Sequence, residues 1–191
     1  ALRAMAERTP NSFLFSIKAH KSLTHEISPG WMDDSARFCK AVDALASRNR
    51  LAAVLIQLPY SFRYEAQNRS YLGKLLDQLQ AFPLAVEFRN DQWSGQRVYD
   101  ELDKRGVGWV MVDRPDVSGL PRQEERVTGG LGYVRFHGRN ADAWWNGDNV
   151  SRYDYLYSKD ELTASASRIK RMAKSATTLL VAFNNHAGGK A

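Results

Sequence analysis

The stretch AVEFRN, residues 85–90, decides the fold: apolar residues lead into it, and Glu87 and Arg89 leave it on the same side of an extended chain. Five further stretches share this layout: FSIKAH (15–20), VLIQLP (54–59), WVMVDR (109–114), YVRFHG (133–138) and VAFNNH (181–186). Each is an apolar, β-forming run that ends in polar or charged side chains. The repetition puts Lys18, His20, Gln57, Glu87, Arg89, Asp113, Arg135, His137, Asn184 and Asn185 at the carboxyl ends of successive strands. Parallel α/β folds build their sites at that end.

Helical patterns separate the strands. Strand-like 13–20 is followed by a loop and a helix over 34–48 with Phe38, Leu45 and neighbouring alanines on one side. After strand 51–58, closed by Pro59, the helix over 68–80 carries Leu72, Leu75, Leu76 and Leu79 at the spacing of one helical face. Strand 84–89 leads to a short helix with Val98 and Leu102, which Ser94 can cap and Gly106 can end. Strands over 107–112, 132–138 and 178–183 follow, the last preceded by a helix over 159–174 with Leu162, Ile169 and Met172. Segment 115–131 shows no periodicity. Strands alternating with helices at this spacing indicate right-handed βαβ units and a mostly parallel α/β sheet.

An open sheet and a closed barrel differ in where strands tolerate polar residues. In a (β/α)8 barrel one strand face points inward and the other meets the helices, so alternate residues near the top can be polar. Lys18 with His20, Glu87 with Arg89, and Arg135 with His137 are same-face pairs of this kind, and they favour a barrel. No glycine-rich phosphate loop or dinucleotide fingerprint follows any strand. Six strands do not close an eight-stranded barrel, so either two strands precede Ala1 or the sheet is open.

With 191 residues the chain can bury a sizeable core as a single domain, and a formal charge of +6 permits an anionic partner without dictating one. The single cysteine, Cys39, excludes a disulfide scaffold and reads as a core residue. No run approaches the ~18 apolar residues of a membrane span, and the start does not read as a signal peptide, so cytoplasm is the expected location.

Several stretches, taken in order, carry a resemblance: FLFSIKAHKSLTHE (13–26), LIQLPYSF (55–62), LAVEFRNDQW (84–93), VDRP (112–115), YVRFHGR (133–139) with YDYLYSKDEL (153–162), and VAFNNHAGGKA (181–191). They resemble the YecE-like family, DUF72, a group of uncharacterised proteins with a TIM-barrel fold. The resemblance implies a TIM-type (β/α)8 barrel of which about six strands are present, with the chain entering after the first two strands and stopping before the terminal helix. It supplies a fold and a location for the site, and no reaction.

Candidate chemistry comes from the strand ends. A carboxylate held beside a guanidinium stays ionised, so Glu87 with Arg89 could accept a proton or fix a substrate hydroxyl; the same pair also reads as an ion pair closing one layer of the barrel. Arg135 and His137 combine a planar anion clamp with a side chain that exchanges protons near neutrality. His137, Glu87 and Lys18 are therefore the catalytic candidates, and His20, Gln57, Arg89, Trp93, Arg135, Asn184 and Asn185 the substrate-binding ones. Asp113 with Glu87 and His137 could hold a divalent metal, although no metal-ligand spacing motif is present. Trp144, Trp145, Tyr153, Tyr155 and Tyr157 crowd the loop over 140–157, as stacking surfaces, a lid or simple packing. Arg48 with Arg50, and Arg168 with Lys170 and Arg171, read as solvated helix ends or faces. These features favour a small polar or anionic ligand, with phosphoester hydrolysis as one chemistry. A nucleic-acid partner is less favoured because no continuous basic stripe with interleaved aromatics is visible.

Overall fold

The apolar runs and amphipathic segments fold as a β/α succession in the computed structural model, which describes residues 1–191 apart from the side chain of Asn149. In chain order the elements are α1 (Leu2–Glu7), β1 (Phe15–Lys18), α2 (Trp31–Ala46), β2 (Leu51–Gln57), α3 (Ala66–Leu79), β3 (Leu84–Glu87), α4 (Gln96–Lys104), β4 (Val107–Asp113), β5 (Leu131–Phe136), α5 (Asp142–Asn146), α6 (Asn149–Tyr153), α7 (Lys159–Ala173) and β6 (Thr178–Phe183). The chain divides into two compact units, Ala1–Trp93 and Ser94–Ala191. The strands pair in parallel within each unit, as βα repeats of a TIM-type barrel require; six strands are described, not eight. No helix among the described residues is long and apolar enough to cross a membrane.

In the first unit β2 lies between β1 and β3. Val54, Leu55 and Ile56 of β2 are all buried, the signature of a parallel strand covered on both faces. The leucine stripe of α3 is buried as its spacing predicts, and α2 buries Val42 and Leu45. Helix α2 starts at Trp31, earlier than its apolar periodicity suggests, with Asp33 and Asp34 in the first turn where carboxylates favour the helix dipole. Cys39 is not a core residue: it is half-buried on α2, its thiol 3.7 Å from the Gln78 carbonyl oxygen, and partial burial raises its pKa.

Arg50 overturns the expectation of a solvated helix end. It is 4% exposed and donates Nε to the Phe13 carbonyl at 2.5 Å, Nη1 to the Ala6 carbonyl at 3.3 Å and Nη2 to Thr9 Oγ1 at 2.7 Å. Its guanidinium also lies 5.4 Å from the Phe15 ring centre. One side chain thus ties α1 and the following turn to the start of β2. Arg48, by contrast, is exposed and caps the Ala44 carbonyl of its own helix.

In the second unit β5 lies between β4 and β6. Gly106 ends α4 with φ +68°, as expected, but the residue ahead of the helix is Gly95 and no Ser94 side-chain cap forms. Helix α7 opens on a capping box whose Ser158 lies just ahead of the expected start: Ser158 Oγ accepts from the Glu161 amide and Glu161 Oε2 accepts from the Ser158 amide. The aromatic loop is not wholly irregular, since it folds into the short helices α5 and α6, the latter capped by Asp148. The 114–130 connection, by contrast, contains no helix, in line with its lack of periodicity.

Replacing Arg50 with alanine should destabilise the protein by about 3 kcal/mol in urea titration, because it strands buried carbonyl acceptors, whereas Arg48→Ala should stay within about 0.5 kcal/mol. Equal effects from the two variants would contradict this assignment.

Candidate functional site

Period-two alternation sorts the strand-end residues. In the first unit Glu87 is fully buried and accepts from Arg89 Nε at 2.9 Å, while Arg89 stays 14% exposed at its side chain. Phe88, between them in sequence, points to the opposite face and stacks on Trp93 with ring centres 4.6 Å apart. Gln57 is the register partner of Glu87 on the neighbouring strand, which places the two side chains on one face. Lys18, exposed at the end of β1, and Arg89 both act on His25. Desolvation and then these two cations lower the His25 pKa, with Glu26 opposing them. A positive cluster around one buried carboxylate therefore marks the carboxyl ends of β1 and β3.

Two candidates of this unit have other work. His20 Nδ1 accepts from the Ser22 amide at 3.3 Å and so caps the 3-10 turn Lys21–Leu23. Trp93 is 3% exposed, donates Nε1 to the Phe62 carbonyl at 2.7 Å, and stacks against Phe62 as well as Phe88. Trp93 is a core aromatic with no face open to a ligand.

In the second unit the register aligns Asp113 with Phe136, and Val112 with Arg135. Asp113 and Arg135 therefore stand on opposite faces, with His137 on the Arg135 side by parity. On the Asp113 side, Met111, Val134 and Phe136 pack with Tyr157 and with Met172 of α7. Arg135 faces the other way, 3.4 Å from Asn184 Oδ1 through its Nη2. Asn185 returns to the Asp113 side, where its amide donates to the Tyr155 and Lys190 carbonyls, each at 2.9 Å. Its donors are consumed by backbone, which ties Asn185 to the loop, while its buried Oδ1 has no hydrogen-bond partner among the described residues.

Asp113 is 1% exposed and its oxygens are occupied. Arg139 Nε and the Tyr157 hydroxyl donate to Oδ1 at 2.9 and 2.8 Å, and Arg139 Nη2 donates to Oδ2 at 2.6 Å. Arg139 Nη1 reaches Glu161 at 3.1 Å, and the Tyr155 hydroxyl donates to that same Glu161 Oε1 at 2.7 Å. Burial resists ionisation of Glu161, but the Tyr155 hydroxyl, the Ser158 amide and hydroxyl and the Arg139 charge outweigh it and lower its pKa. The Gly138 amide completes the chain by donating to the Tyr157 hydroxyl oxygen at 2.9 Å. Gly138 has φ +86°, and a Cβ there would fall 2.6 Å from Tyr155 Cβ, so glycine is what lets strand β5 turn into this network. Arg139, Tyr157 and Glu161 were not singled out from sequence as a charge network. The S-x-x-E pattern at 158–161 was the signal that could have marked Glu161.

This arrangement corrects the metal reading of Asp113. Its carboxylate faces α7 and not the His137 side, and no group of three His, Cys, Asp or Glu side chains able to hold a metal occurs among the described residues. His137 itself has 0% exposure, with Tyr153 and Trp144 ring centres 5.4 and 6.4 Å from its own. The aromatic segment over 140–157 thus covers it.

A family comparison matches the whole of residues 1–191 to the description "Protein of unknown function DUF72". The chain belongs to the DUF72 family. It is 28% identical over 201 residues to the UPF0759 protein YunF of Bacillus subtilis (strain 168), covering 97% of this chain and 71% of YunF. The crystal structure of a DUF72 family protein from Thermotoga maritima superimposes with a TM-score of 0.89 at 32% identity, covering 100% of this chain and 74% of that one. A DUF72 family protein from Enterococcus faecalis gives 0.88 at 25% identity with the same coverages. The expected family is thereby established, and DUF72 membership brings no reaction with it.

Arg139→Ala should cost about 3–5 kcal/mol of unfolding free energy, since it leaves the buried Asp113 carboxylate without its counter-charge; Asp113→Asn in the same background should recover part of the loss. A cost under about 1 kcal/mol would contradict the network.

Tyrosine ionisation gives a second check. Burial, then the Asp113 charge and hydrogen bond, push Tyr157 well above the ordinary tyrosine range, and burial, then Asp34, pushes Tyr71 up to about 12. Folded pKa values above unfolded ones mean that this stability is fully present below about pH 10 and falls as pH rises towards the folded values. The Tyr71→Phe variant should lose stability less steeply than the parent above about pH 10, as followed by far-ultraviolet circular dichroism. Equal slopes would rule out the Tyr71 contribution.

Proposed function

We propose that this DUF72 protein recognises a small anionic molecule at the carboxyl ends of its strands. The observation that carries the reading is the positive cluster of the first unit, where Lys18 is exposed at the end of β1, Arg89 is partly exposed beyond β3, and both charges bear on the exposed His25. Arg89 is anchored by Glu87, which fixes the guanidinium without fully burying it. Gln57, beside Glu87 in register, is a neutral group suited to orienting the same ligand. On the second unit, Arg135 beside Asn184 pairs a cation with an amide in the same way. Planar guanidinium forks and a lysine point charge suit phosphate, sulfate or carboxylate oxygens. The reading also takes the protein as cytoplasmic, as its single cysteine calls for no oxidising compartment.

Sulfate tests the binding reading because its charge stays constant near neutrality. Isothermal titration should give sulfate binding that weakens about tenfold or more in Arg89→Gln, and that strengthens as pH falls from about 8 towards 5 and His25 gains its proton. Unchanged affinity in Arg89→Gln would overturn it, and steeply salt-dependent DNA or RNA binding would replace the small anion with a nucleic acid.

Phosphoester hydrolysis is the catalytic extension, with His137 taking a proton from the attacking water. Because the His137 ring is wholly covered, turnover requires the α5–α6 segment to move off it. In an assay against phosphomonoesters and phosphodiesters, His137→Ala should abolish any turnover while leaving the circular dichroism spectrum unchanged. A fully active His137→Ala variant would remove His137 from the chemistry.

A further inference from the structure

The β4–β5 connection lacks the helix that normally covers a parallel crossover, and a cavity of about 440 Å³ opens there. It is lined by Arg114, Asp116, Leu120, Arg122, Gln123 and Arg168, all within the second unit. Three guanidinium groups meet one carboxylate, Asp116. Like charges are costly to gather, so a lining of this composition favours an anion.

The arginines differ in how they are held. Arg114 is 5% exposed and uses both terminal nitrogens on the Pro115 and Pro121 carbonyls, while Gln123 donates to the Arg114 carbonyl at 2.8 Å. It braces the loop. Arg168, expected to lie on a solvated helix face, is half-buried; it donates Nε to Glu125 at 3.0 Å and Nη2 to the Gln123 carbonyl. Glu125 is not its partner alone, since Arg171 donates to both Glu125 oxygens at 2.7 Å. One carboxylate thus answers two guanidiniums. Arg122 is exposed, and among the described residues its guanidinium engages no carboxylate or carbonyl.

We propose that this cavity is a binding site for a small phosphomonoester, with Arg122 and Arg168 contacting the phosphate and Leu120 offering an apolar contact to the esterified carbon skeleton. The volume exceeds what a bare phosphate fills and falls within the range of small-molecule pockets. The Arg122 fork matches two oxygens of a phosphate and Arg168 keeps Nη1 for a third, its Nε and Nη2 being held by Glu125 and the Gln123 carbonyl, while Asp116 stands where a hydroxyl of the ligand can donate to it. The site is separate from the Lys18–Arg89 cluster, which belongs to the other unit, and it stands or falls without that reading.

Isothermal titration of the intact chain carrying Arg89→Gln, which disables the strand-end cluster, with glycerol 3-phosphate, inorganic phosphate and glycerol tests the proposal, with Arg122→Gln and Asp116→Asn added to that background. Arg122 and Asp116 are exposed loop residues, so their replacements should fold. Glycerol 3-phosphate should bind more tightly than inorganic phosphate, and glycerol should not bind. Arg122→Gln should weaken glycerol 3-phosphate binding about tenfold or more, as loss of a charge-assisted contact does. Asp116→Asn should not weaken inorganic phosphate, from which it removes a like charge. Absence of glycerol 3-phosphate binding at millimolar concentration overturns the proposal, as does affinity that survives Arg122→Gln. Glycerol 3-phosphate binding seen in the parent protein and absent once Arg89 is replaced assigns the anion to the strand-end cluster and overturns it equally.

Discussion

Successive side chains of a strand point to opposite faces, and at the carboxyl ends of these strands that alternation separates two uses of charge. On one face charge is consumed internally, as with Asp113, which is 1% exposed and saturated by Arg139 and Tyr157. On the other face charge is arranged next to neutral hydrogen-bonding groups, as with Arg135 and Asn184. In the first unit the same rule sends Phe88 into an aromatic stack while Glu87 and Arg89 pair behind it. Neither arrangement survives a one-residue slip in register, because Glu87, Asp113 and Arg135 would each exchange places with the valine that precedes it.

The Asp113 network has a further structural consequence. A buried carboxylate is costly unless its oxygens are hydrogen-bonded and its charge answered, and here the answering groups come from the turn after β5, from Tyr157 and, through Arg139, from the first turn of α7. Glu161 serves both ends, as a helix cap for Ser158 and as the second carboxylate on Arg139. The orientation of α7 against β4 and β5 is therefore set by charge as well as by the apolar contact of Met172 with Met111 and Val134. Conformational specificity of this kind is what a buried ionic network contributes even where its net stabilisation is small.

Repeated apolar runs made the strands legible, and the leucine spacing made α3 legible, because burial on both faces and on one helical face leaves a period in the sequence. The candidate site was legible by position along the chain but only partly by role. Glu87 with Arg89 was readable because strand parity puts residues two apart on one face. Asp113 was misread because parity within β4 does not reveal which face meets a helix until the register with β5 is known. Trp93 and Arg50 failed for a different reason: their partners are carbonyls distant in sequence, Phe62 for the one and Phe13 with Ala6 for the other, and backbone acceptors have no sequence signature. Arg168 belongs with them, since the Gln123 carbonyl that holds it lies in the one segment without periodicity.

That segment shows how irregular backbone creates chemistry that a regular crossover would not. A helix between β4 and β5 would have packed an apolar face onto the strands and satisfied its own carbonyls. The 114–130 connection leaves carbonyls to be satisfied by side chains, and arginines supply the donors: Arg114 to Pro115 and Pro121, Arg168 to Gln123. Each arginine that braces the loop thereby brings a positive charge to it. Glu124 with Arg126, and Glu125 with Arg168 and Arg171, offset part of the excess. The solution to a backbone hydrogen-bonding requirement thus leaves a cavity whose lining is cationic. An anionic ligand is the simplest group that completes it.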